Sequence, residues 1–358
     1  MLKTLLLIAL GVVLYGGGVF AQDTVAEDAY LSAHHYSFSV TDGFSEKAQQ
    51  ALIEKLSPYK VILLGEGGSH YLRFYEQVQL PLLKFLHEKL AVNAFFMEMG
   101  HSSGMVGTRF LRTGDTVFMP GWKPLKESVF WTGMYQYLLP SKGADIACFG
   151  IDFENPRNYG KAMRALIPLL PADAPLTALL QSLPQPLNCD KLVEYNKKIK
   201  REVEQDTALY RQHLKGQYDD LLLILNNPGS CKDVMKDRNN NLYRRFIEGD
   251  KRIGSPRYYG QMGVAHTAKH LRSFAAKLDK DAAFEGKVCV INTYCLECST
   301  PEEEVSNWQL RAVEKDILRL LVKYCQSDFT LFDFTGADKR FEQFRKMGEF
   351  ILVARHQH

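Results

Sequence analysis

Three apolar runs in the sequence each end at a side chain that can accept or donate a proton. The runs and the residues that follow them are 60–64 with Glu66, 94–97 with Glu98, and 258–265 with His266. Short apolar runs of this composition are typical of buried β-strands. In a parallel sheet the carboxyl ends of the strands share one edge, so residues far apart in sequence meet there. We therefore expect Glu66, Glu98 and His266 to converge on one site.

Helical patterns alternate with the apolar runs, which is typical of an α/β fold. Apolar residues recur at helical spacing in 45–59, 74–90, 102–112, 267–278 and 308–324. Further strand patterns are found at 145–150, 287–293, 329–334 and 349–354. The alternation predicts a central, mostly parallel sheet flanked by helices, with right-handed crossover connections.

The middle of the chain, about 156–249, has helical periodicity and no strand pattern. An all-helical insertion in an α/β domain usually lies beside the catalytic edge of the sheet, where ligand pockets form. We therefore predict that this insertion forms a cap.

The first 21 residues have the pattern of a secretory signal peptide. Lys3 precedes an apolar run at 5–15, and a segment of small residues leads to a cleavage position after Ala21. The alternative is an uncleaved anchor, but the run is too short to span hydrocarbon comfortably. We expect a single mature domain at 22–358, periplasmic or secreted, without stable membrane insertion.

The composition argues against nucleic acid or an anionic membrane as a partner. The formal net charge is +3, and acidic and basic residues are mixed along the chain. Hydrophobic residues make up 46% of the sequence, an ordinary value for a globular protein. We expect a small-molecule substrate as the partner.

Several common catalytic motifs are absent from the sequence. It contains no Gly-x-Ser-x-Gly, no His-Glu-x-x-His, no Gly-x-Gly-x-x-Gly and no P-loop. Their absence disfavours a serine nucleophile, the common zinc protease route, and dinucleotide or nucleoside triphosphate cofactors. We expect that no cofactor is required.

Histidine and glutamate side chains can supply the chemistry of hydrolysis, which needs a base for water and a group that binds the oxyanion. His70 near Glu66 can act as a base, and Glu98 can hold His266. Two carboxylates on one edge would also raise the pKa of one of them. The structural alternatives are a Glu66 that binds the N–H groups of its own turn and a His266 that is hydrogen bonded at a strand end.

A divalent metal is a further possibility for the same residues. Mixed nitrogen and oxygen ligands suit zinc or manganese, and the ligands would be Glu66, His70, Glu98 and His266.

Six short motifs, taken in order along the chain, resemble the erythromycin esterase family. They are Leu64-Gly65-Glu66 with a nearby histidine, Phe74-Tyr75, Phe96-Met97-Glu98, residues 110–115, Phe149-Gly150-Ile151-Asp152, and Ala265-His266-Thr267-Ala268. The resemblance extends from about residue 58 to 280. That family is part of a wider superfamily with Tiki/TraB-type proteases and haem-binding iron-regulated lipoproteins. The resemblance implies a hydrolase whose catalytic residues are Glu66, His70, Glu98 and His266.

Two histidines depart from the family pattern by one position. The family motif is usually Gly-Glu-x-x-His, but His70 is four positions after Glu66, so Ser69 occupies the histidine position in an ungapped alignment. The family's second motif is usually His-Asn-x-His, and here His270 is four positions after His266. Two consecutive glycines before Ser69 can absorb the extra residue, since glycine tolerates unusual backbone angles.

Substrate contacts are expected from five further residues, namely Ser69, His101, Asp152, Arg238 and Lys269. For three of them a structural role is the alternative. Asp152 can cap the helix after Pro156 or hold Arg157, Arg238 can cover a helix face, and His101 can face solvent.

The resulting hypothesis is an exported enzyme that activates water to cleave an ester, lactone or amide. One alternative is a metal-dependent peptidase of the Tiki/TraB type. The other is a non-catalytic protein that binds haem or another small ligand.

Overall fold

The computed structural model describes residues 25–39, 43–66, 78–121, 126–141, 146–227, 237–269, 272–296, 298–299, 304–305 and 315–355. The predicted signal peptide and the candidate residues Ser69, His70 and His270 lie outside the described residues. None of the described helices has both the length and the apolar character needed to cross a membrane.

The described residues contain eleven strands. They are β1 (His35–Ser39), β2 (Gly43–Phe44), β3 (Val61–Glu66), β4 (Ala94–Met97), β5 (Ala147–Gly150), β6 (Tyr258–Gly263), β7 (Val288–Leu296), β8 (Cys298–Ser299), β9 (Glu304–Val305), β10 (Phe329–Asp333) and β11 (Phe350–Arg355). Nine of them form a mixed, mostly parallel sheet, and β8 pairs with β9 alone. The predicted α/β fold class is confirmed.

Fifteen α-helices are found in the same described residues. They are α1 (25–33), α2 (Glu46–Leu56), α3 (Leu80–Leu90), α4 (His101–Thr113), α5 (Lys126–Leu138), α6 (Pro156–Leu166), α7 (Pro175–Gln181), α8 (Cys189–Gln205), α9 (Thr207–Leu214), α10 (Gly216–Leu225), α11 (Arg238–Ile253), α12 (Val264–Thr267), α13 (Phe274–Leu278), α14 (Lys315–Tyr324) and α15 (Glu342–Met347). Short 3₁₀ helices cover Thr116–Phe118, Leu139–Ser141, Ile167–Leu169 and Lys339–Phe341.

Two compact units divide the chain. The first contains the described parts of 1–52 and 291–358. Its strand order is β2-β1-β10-β11-β7, antiparallel from β2 to β11 and parallel between β11 and β7. Its core is rich in phenylalanine, and the Phe334 and Phe344 rings stack with centroids 4.9 Å apart. The expectation of a single domain at 22–358 stays a prediction.

The second unit contains the described parts of 53–66 and 70–290. Its strand order is β3-β6-β4-β5, and all three pairings are parallel. The register pairs Glu66 with Gly263, and Met97 with both Gln261 and Gly150. The carboxyl ends of all four strands therefore lie at one edge.

Side chains alternate between the two faces of these strands. One face packs on a buried aromatic core that contains Phe96, Phe149, Phe246 and Phe274. Gly260 belongs to this face, where an added Cβ would come within 2.2 Å of the Phe96 ring. Glycine at this position therefore allows the ring to lie against the strand.

The helical insertion has the predicted composition, because residues described between 156 and 249 form helices and no strand. Its first helix, α6, is capped by Asn155, whose Oδ1 accepts from Arg157 N at 2.8 Å and Asn158 N at 3.3 Å. The insertion packs around a core that includes Tyr159, Leu176 and Leu221 together with Met105 and Val106 of α4.

The region around His266 differs from the sequence prediction. Strand β6 ends at Gly263 instead of 265, and two short helices replace the single helix predicted at 267–278. The second of them begins at a cap, Ser273, whose Oγ accepts from Ala276 N at 3.1 Å. This cap begins a second, separate helix, which apolar periodicity alone does not predict.

Candidate functional site

The carboxyl ends of the four parallel strands bring the predicted residues together. Glu66 is the last residue of β3, Glu98 follows β4, and Asp152 follows β5 two residues after its end. His266 lies on α12, which begins directly after β6. The expected convergence of Glu66, Glu98 and His266 is therefore found, with Asp152 beside them.

Arg238 connects two of these carboxylates. Its Nη2 lies 2.6 Å from Glu98 Oε1. Its Nε donates to Asp152 Oδ1 at 3.3 Å and Oδ2 at 3.2 Å, and Nη2 also donates to Asp152 Oδ2. Arg238 is the first residue of α11, so the helical insertion contributes a cation to the strand edge. A guanidinium can bind two carboxylates in this way because its donors form a rigid planar fork.

Glu98 is held by two donors and still has a raised pKa. Besides Arg238, the backbone N–H of Gly263 donates to Glu98 Oε2 at 2.7 Å. Burial raises the pKa of Glu98 to about 7, although Arg238 and the Gly263 N–H lower it, and the negative charges of Asp152 and Glu66 raise it further. Glu98 can therefore gain or lose a proton near neutral pH.

The hydrogen bonds of His266 define its tautomer. Asn239 Oδ1 accepts from the backbone N–H of Phe274 at 3.2 Å, and it lies 2.6 Å from His266 Nδ1. Because that oxygen is an acceptor, Nδ1 carries the hydrogen. The other ring nitrogen, Nε2, lies 3.4 Å from Glu98 Oε1.

Burial, together with the positive charge of Arg238, lowers the pKa of His266 to about 4. The imidazole is therefore neutral at pH 7, with a lone pair on Nε2 that faces Glu98. In this arrangement Glu98 and His266 can share one proton. The side chain of Glu98 is 20% exposed and that of His266 is 12% exposed. A small molecule can therefore reach the pair.

Two other predicted residues are bonded elsewhere. His101 is buried instead of facing solvent, and its Nε2 lies 2.8 Å from Asp220 Oδ1. Lys269 Nζ donates to the carbonyl oxygen of Val288 at 2.6 Å and lies 3.5 Å from Asp279. These contacts connect His101 to α10 and Lys269 to β7, and the substrate contacts predicted for both residues stay predictions.

Asp152 and Arg238 bind each other at the strand edge, and their substrate contacts stay a prediction. Asp152 does not cap the helix after Pro156, since Asn155 does, and its side chain is only 4% exposed against Arg238.

Sequence reasoning missed three residues around the site. Asn239 positions His266, and the backbone N–H of Gly263 binds Glu98. Glu154 accepts from His101 N at 2.8 Å and Ser102 N at 3.1 Å, so its carboxylate binds the N-terminus of α4, which begins three positions after Glu98. Of these three residues, only Asn239 could have been predicted from the sequence, since it is next to Arg238 at the start of a helix.

The side chains proposed as metal ligands suit the guanidinium of Arg238 better than a metal ion. Among the described residues, no group of three or more His, Cys, Asp or Glu side chains is arranged to hold a metal ion. Both oxygens of Glu98 bind N–H donors already, one from Arg238 and one from Gly263. A metal ligated by Glu98 would have to displace at least one of them. His70, the fourth proposed ligand, lies outside the described residues.

The fold is similar to the folds of several solved structures, among them an erythromycin esterase. The erythromycin esterase EreC, solved as a mutant in its open conformation, has a TM-score of 0.61 with this chain at 13% identity, over 89% of this chain and 96% of that one. A succinoglycan biosynthesis protein has a TM-score of 0.65 at 12% identity, over 93% and 97%. A Bacillus cereus protein has a TM-score of 0.62 at 12% identity, over 93% and 97%.

These similarities confirm the predicted resemblance at the level of the fold. The haem-binding ChaN of Campylobacter jejuni has a TM-score of only 0.35 at 16% identity. The sequence itself matches no family model and no curated protein.

Proposed function

We propose that this protein is a hydrolase that activates water to cleave an ester, lactone or amide. The observation that carries the proposal is the Glu98–His266 pair, whose pKa values are moved to about 7 and about 4 beside a fixed guanidinium. Pairs of titratable groups whose environments separate their pKa values are characteristic of acid and base assignments.

In the proposed reaction Glu98 is the general base. A base is most effective when its pKa lies near the working pH, as that of Glu98 does. The carboxylate takes a proton from the attacking water. Glu98 holds that proton and returns it to the leaving group, while neutral His266 accepts a hydrogen bond from the protonated carboxyl through Nε2, which faces Glu98 Oε1.

Arg238 is the proposed oxyanion-binding group. Its Nε and Nη2 are bonded to Asp152 and Glu98, and no described residue accepts a hydrogen bond from its Nη1. The guanidinium therefore has N–H donors left for the negative charge that develops on the carbonyl oxygen. Since Asp152 and Glu98 fix its position, no reorganisation is needed during the reaction.

The test is an activity screen over esters, lactones and amides, with and without a chelator. We expect turnover that persists with the chelator, and a kcat/KM that rises with pH through about 7 as Glu98 loses its proton. Glu98→Gln should lower kcat by about 100-fold or more. Glu88→Gln, at an exposed position on α3, is the matched control and should leave kcat unchanged. Turnover by Glu98→Gln at the wild-type rate would refute the role of Glu98.

We also propose that the chain is exported and that its mature form begins at Gln22. The support is the pattern of Lys3, the apolar run and Ala21 in the sequence. Mass spectrometry of the protein from its native host tests this proposal. Intact Met1 to Ala21 in a cytoplasmic fraction would contradict export.

A further inference from the structure

A pocket beside Glu66 and Glu98 contains two buried glutamine side chains. Its volume is about 80 Å³, and Gln79 and Gln261 line it together with the two glutamates. Gln261 is 4% exposed and Gln79 is 5% exposed. We refer to it as the glutamine pocket.

Three polar atoms of these two glutamine amides lack hydrogen-bond partners among the described residues. Within the described part of the chain, neither Nε2 nor Oε1 of Gln261 has a hydrogen-bond partner, and Gln79 Oε1 has none either. Buried polar atoms are almost always hydrogen bonded, because an unpaired one destabilises the fold. Two such side chains in one pocket therefore point to a partner from outside the chain.

Apart from the carboxylates of Glu66 and Glu98, the other side chains that line the pocket are mainly apolar. Phe95, Met97, Phe130 and Trp131 line the pocket with apolar surface. The register of β4 and β6 places Gln261 in this pocket. Gln261 pairs with Met97, and Tyr259 pairs with Phe95. Residues two positions apart on a strand lie on the same face, so all four share one face of the sheet. A glutamine on a mainly apolar face is characteristic of a ligand site, which combines apolar walls with a few polar groups.

We propose that the glutamine pocket is a substrate subsite for an uncharged group that carries both a hydrogen-bond donor and an acceptor, such as a carboxamide. Gln261 offers its Nε2 amide as a donor and its Oε1 as an acceptor, and the carbonyl oxygen and N–H of a second amide complement both atoms. An anion would leave the glutamine oxygens unpaired and would lie beside Glu66 and Glu98. A cation would leave Gln261 Nε2 unpaired. The proposal rests on the proposed function, because it assigns part of the hydrolase's substrate to this pocket.

Binding can be tested without turnover, by NMR of protein labelled with ¹³C at the methionine methyl groups. Met97 and Met99 both line the pocket and report on its contents. Acetamide should shift their signals in a saturable way, whereas acetate and methylammonium at equal concentration should not. Equal shifts with all three probes would overturn the proposal. The absence of a shift with any probe would also overturn it and would indicate a pocket that holds ordered water only.

The variant Gln261→Met keeps the length of the side chain and removes both polar atoms. We expect acetamide to bind at least about 10-fold more weakly, since the donor and acceptor are lost. The melting temperature should stay the same or rise, because an unpaired buried amide is replaced by an apolar group. Gln181→Met, at an exposed position of α7, is the matched control and should change neither.

The two proposals can fail separately. Selective acetamide binding without hydrolysis of any ester, lactone or amide would refute the hydrolase and leave the subsite intact. Hydrolysis of an amide-bearing substrate with the same KM in wild type and Gln261→Met would refute the subsite and leave the hydrolase intact.

Discussion

Arg238 Nη2 lies 2.6 Å from Glu98 Oε1, although 140 positions separate the two residues in sequence. Glu98 follows a sheet strand and Arg238 begins a helix of the insertion. The site is therefore complete only when the insertion is folded against the strand edge. The insertion contributes a functional group, in addition to any role as a cap.

The first prediction concerns the shape of the Arg238 side chain. Arg238→Lys keeps the positive charge but cannot bind Asp152 and Glu98 with a planar fork. We expect kcat/KM on a working substrate to fall by about 100-fold or more, as for the loss of an oxyanion donor. Arg244→Lys, on the exposed face of the same helix, is the control and should leave kcat/KM unchanged. A fully active Arg238→Lys enzyme would exclude a role for the guanidinium geometry.

The second prediction is that Glu98 makes folding stability fall as pH rises. The pKa of Glu98 is about 7 in the folded protein and 4.5 ordinarily. Between these values the folded state keeps the proton and the unfolded state loses it, so a rise in pH favours unfolding. Relative to wild type, Glu98→Gln should therefore become progressively more stable from pH 4.5 to 7. Urea unfolding at several pH values measures this difference, and a difference independent of pH would contradict the raised pKa.

His266 should produce the opposite trend. Its pKa is about 4 in the folded protein and 6.5 ordinarily. Between these values the unfolded state binds the proton and the folded state does not, so a rise in pH favours folding. The same urea series should show His266→Gln becoming less stable than wild type from pH 4 to 6.5. Parallel trends in the two variants would show that one of the two directions is wrong.

A further prediction concerns Asn239, a positioning residue for His266. Asn239→Leu removes the acceptor at Nδ1, which frees the ring to rotate and to change tautomer. We expect kcat to fall by about 100-fold while KM changes little. Asn239→Asp keeps an acceptor and should recover part of the activity. Its negative charge should also raise the pKa of His266, which a pH profile of kcat would detect. Equal losses in both variants would indicate a merely structural role.

The last prediction concerns the contact between α4 and β5. A Cβ at Gly104 would lie 2.4 Å from Phe149 Cα, a backbone atom that cannot move aside cheaply. Gly104→Ala should therefore lower the free energy of unfolding by about 1–3 kcal/mol. Gly216→Ala is the control, because an added Cβ there meets nothing within 4 Å. Its stability should be unchanged or slightly higher, since alanine favours the helix. Chemical denaturation of both variants measures the contrast.

The sequence by itself determined the strands that carry the site and the edge at which they meet. Apolar runs before Glu66, Glu98 and His266 predicted buried strands, and their parallel pairing follows from the helices between them. The sequence also predicted that 156–249 forms helices and no strands, because helical periodicity is a local signal. The resemblance in motif order was sufficient to predict the fold that the solved structures share.

Only the tertiary structure decided which polar side chains work together. The sequence left Arg238 as either a surface residue or a site residue. Its contacts with Glu98 and Asp152 depend on how α11 packs beside strands β4 and β5. The orientation of His266 by Asn239 and the unpaired amide of Gln261 likewise arise from packing between elements distant in sequence. Periodicity specifies which face of a strand or helix is buried, because it is set by the local backbone. It does not specify the partner of a buried polar group, because that depends on the three-dimensional contacts of the folded chain.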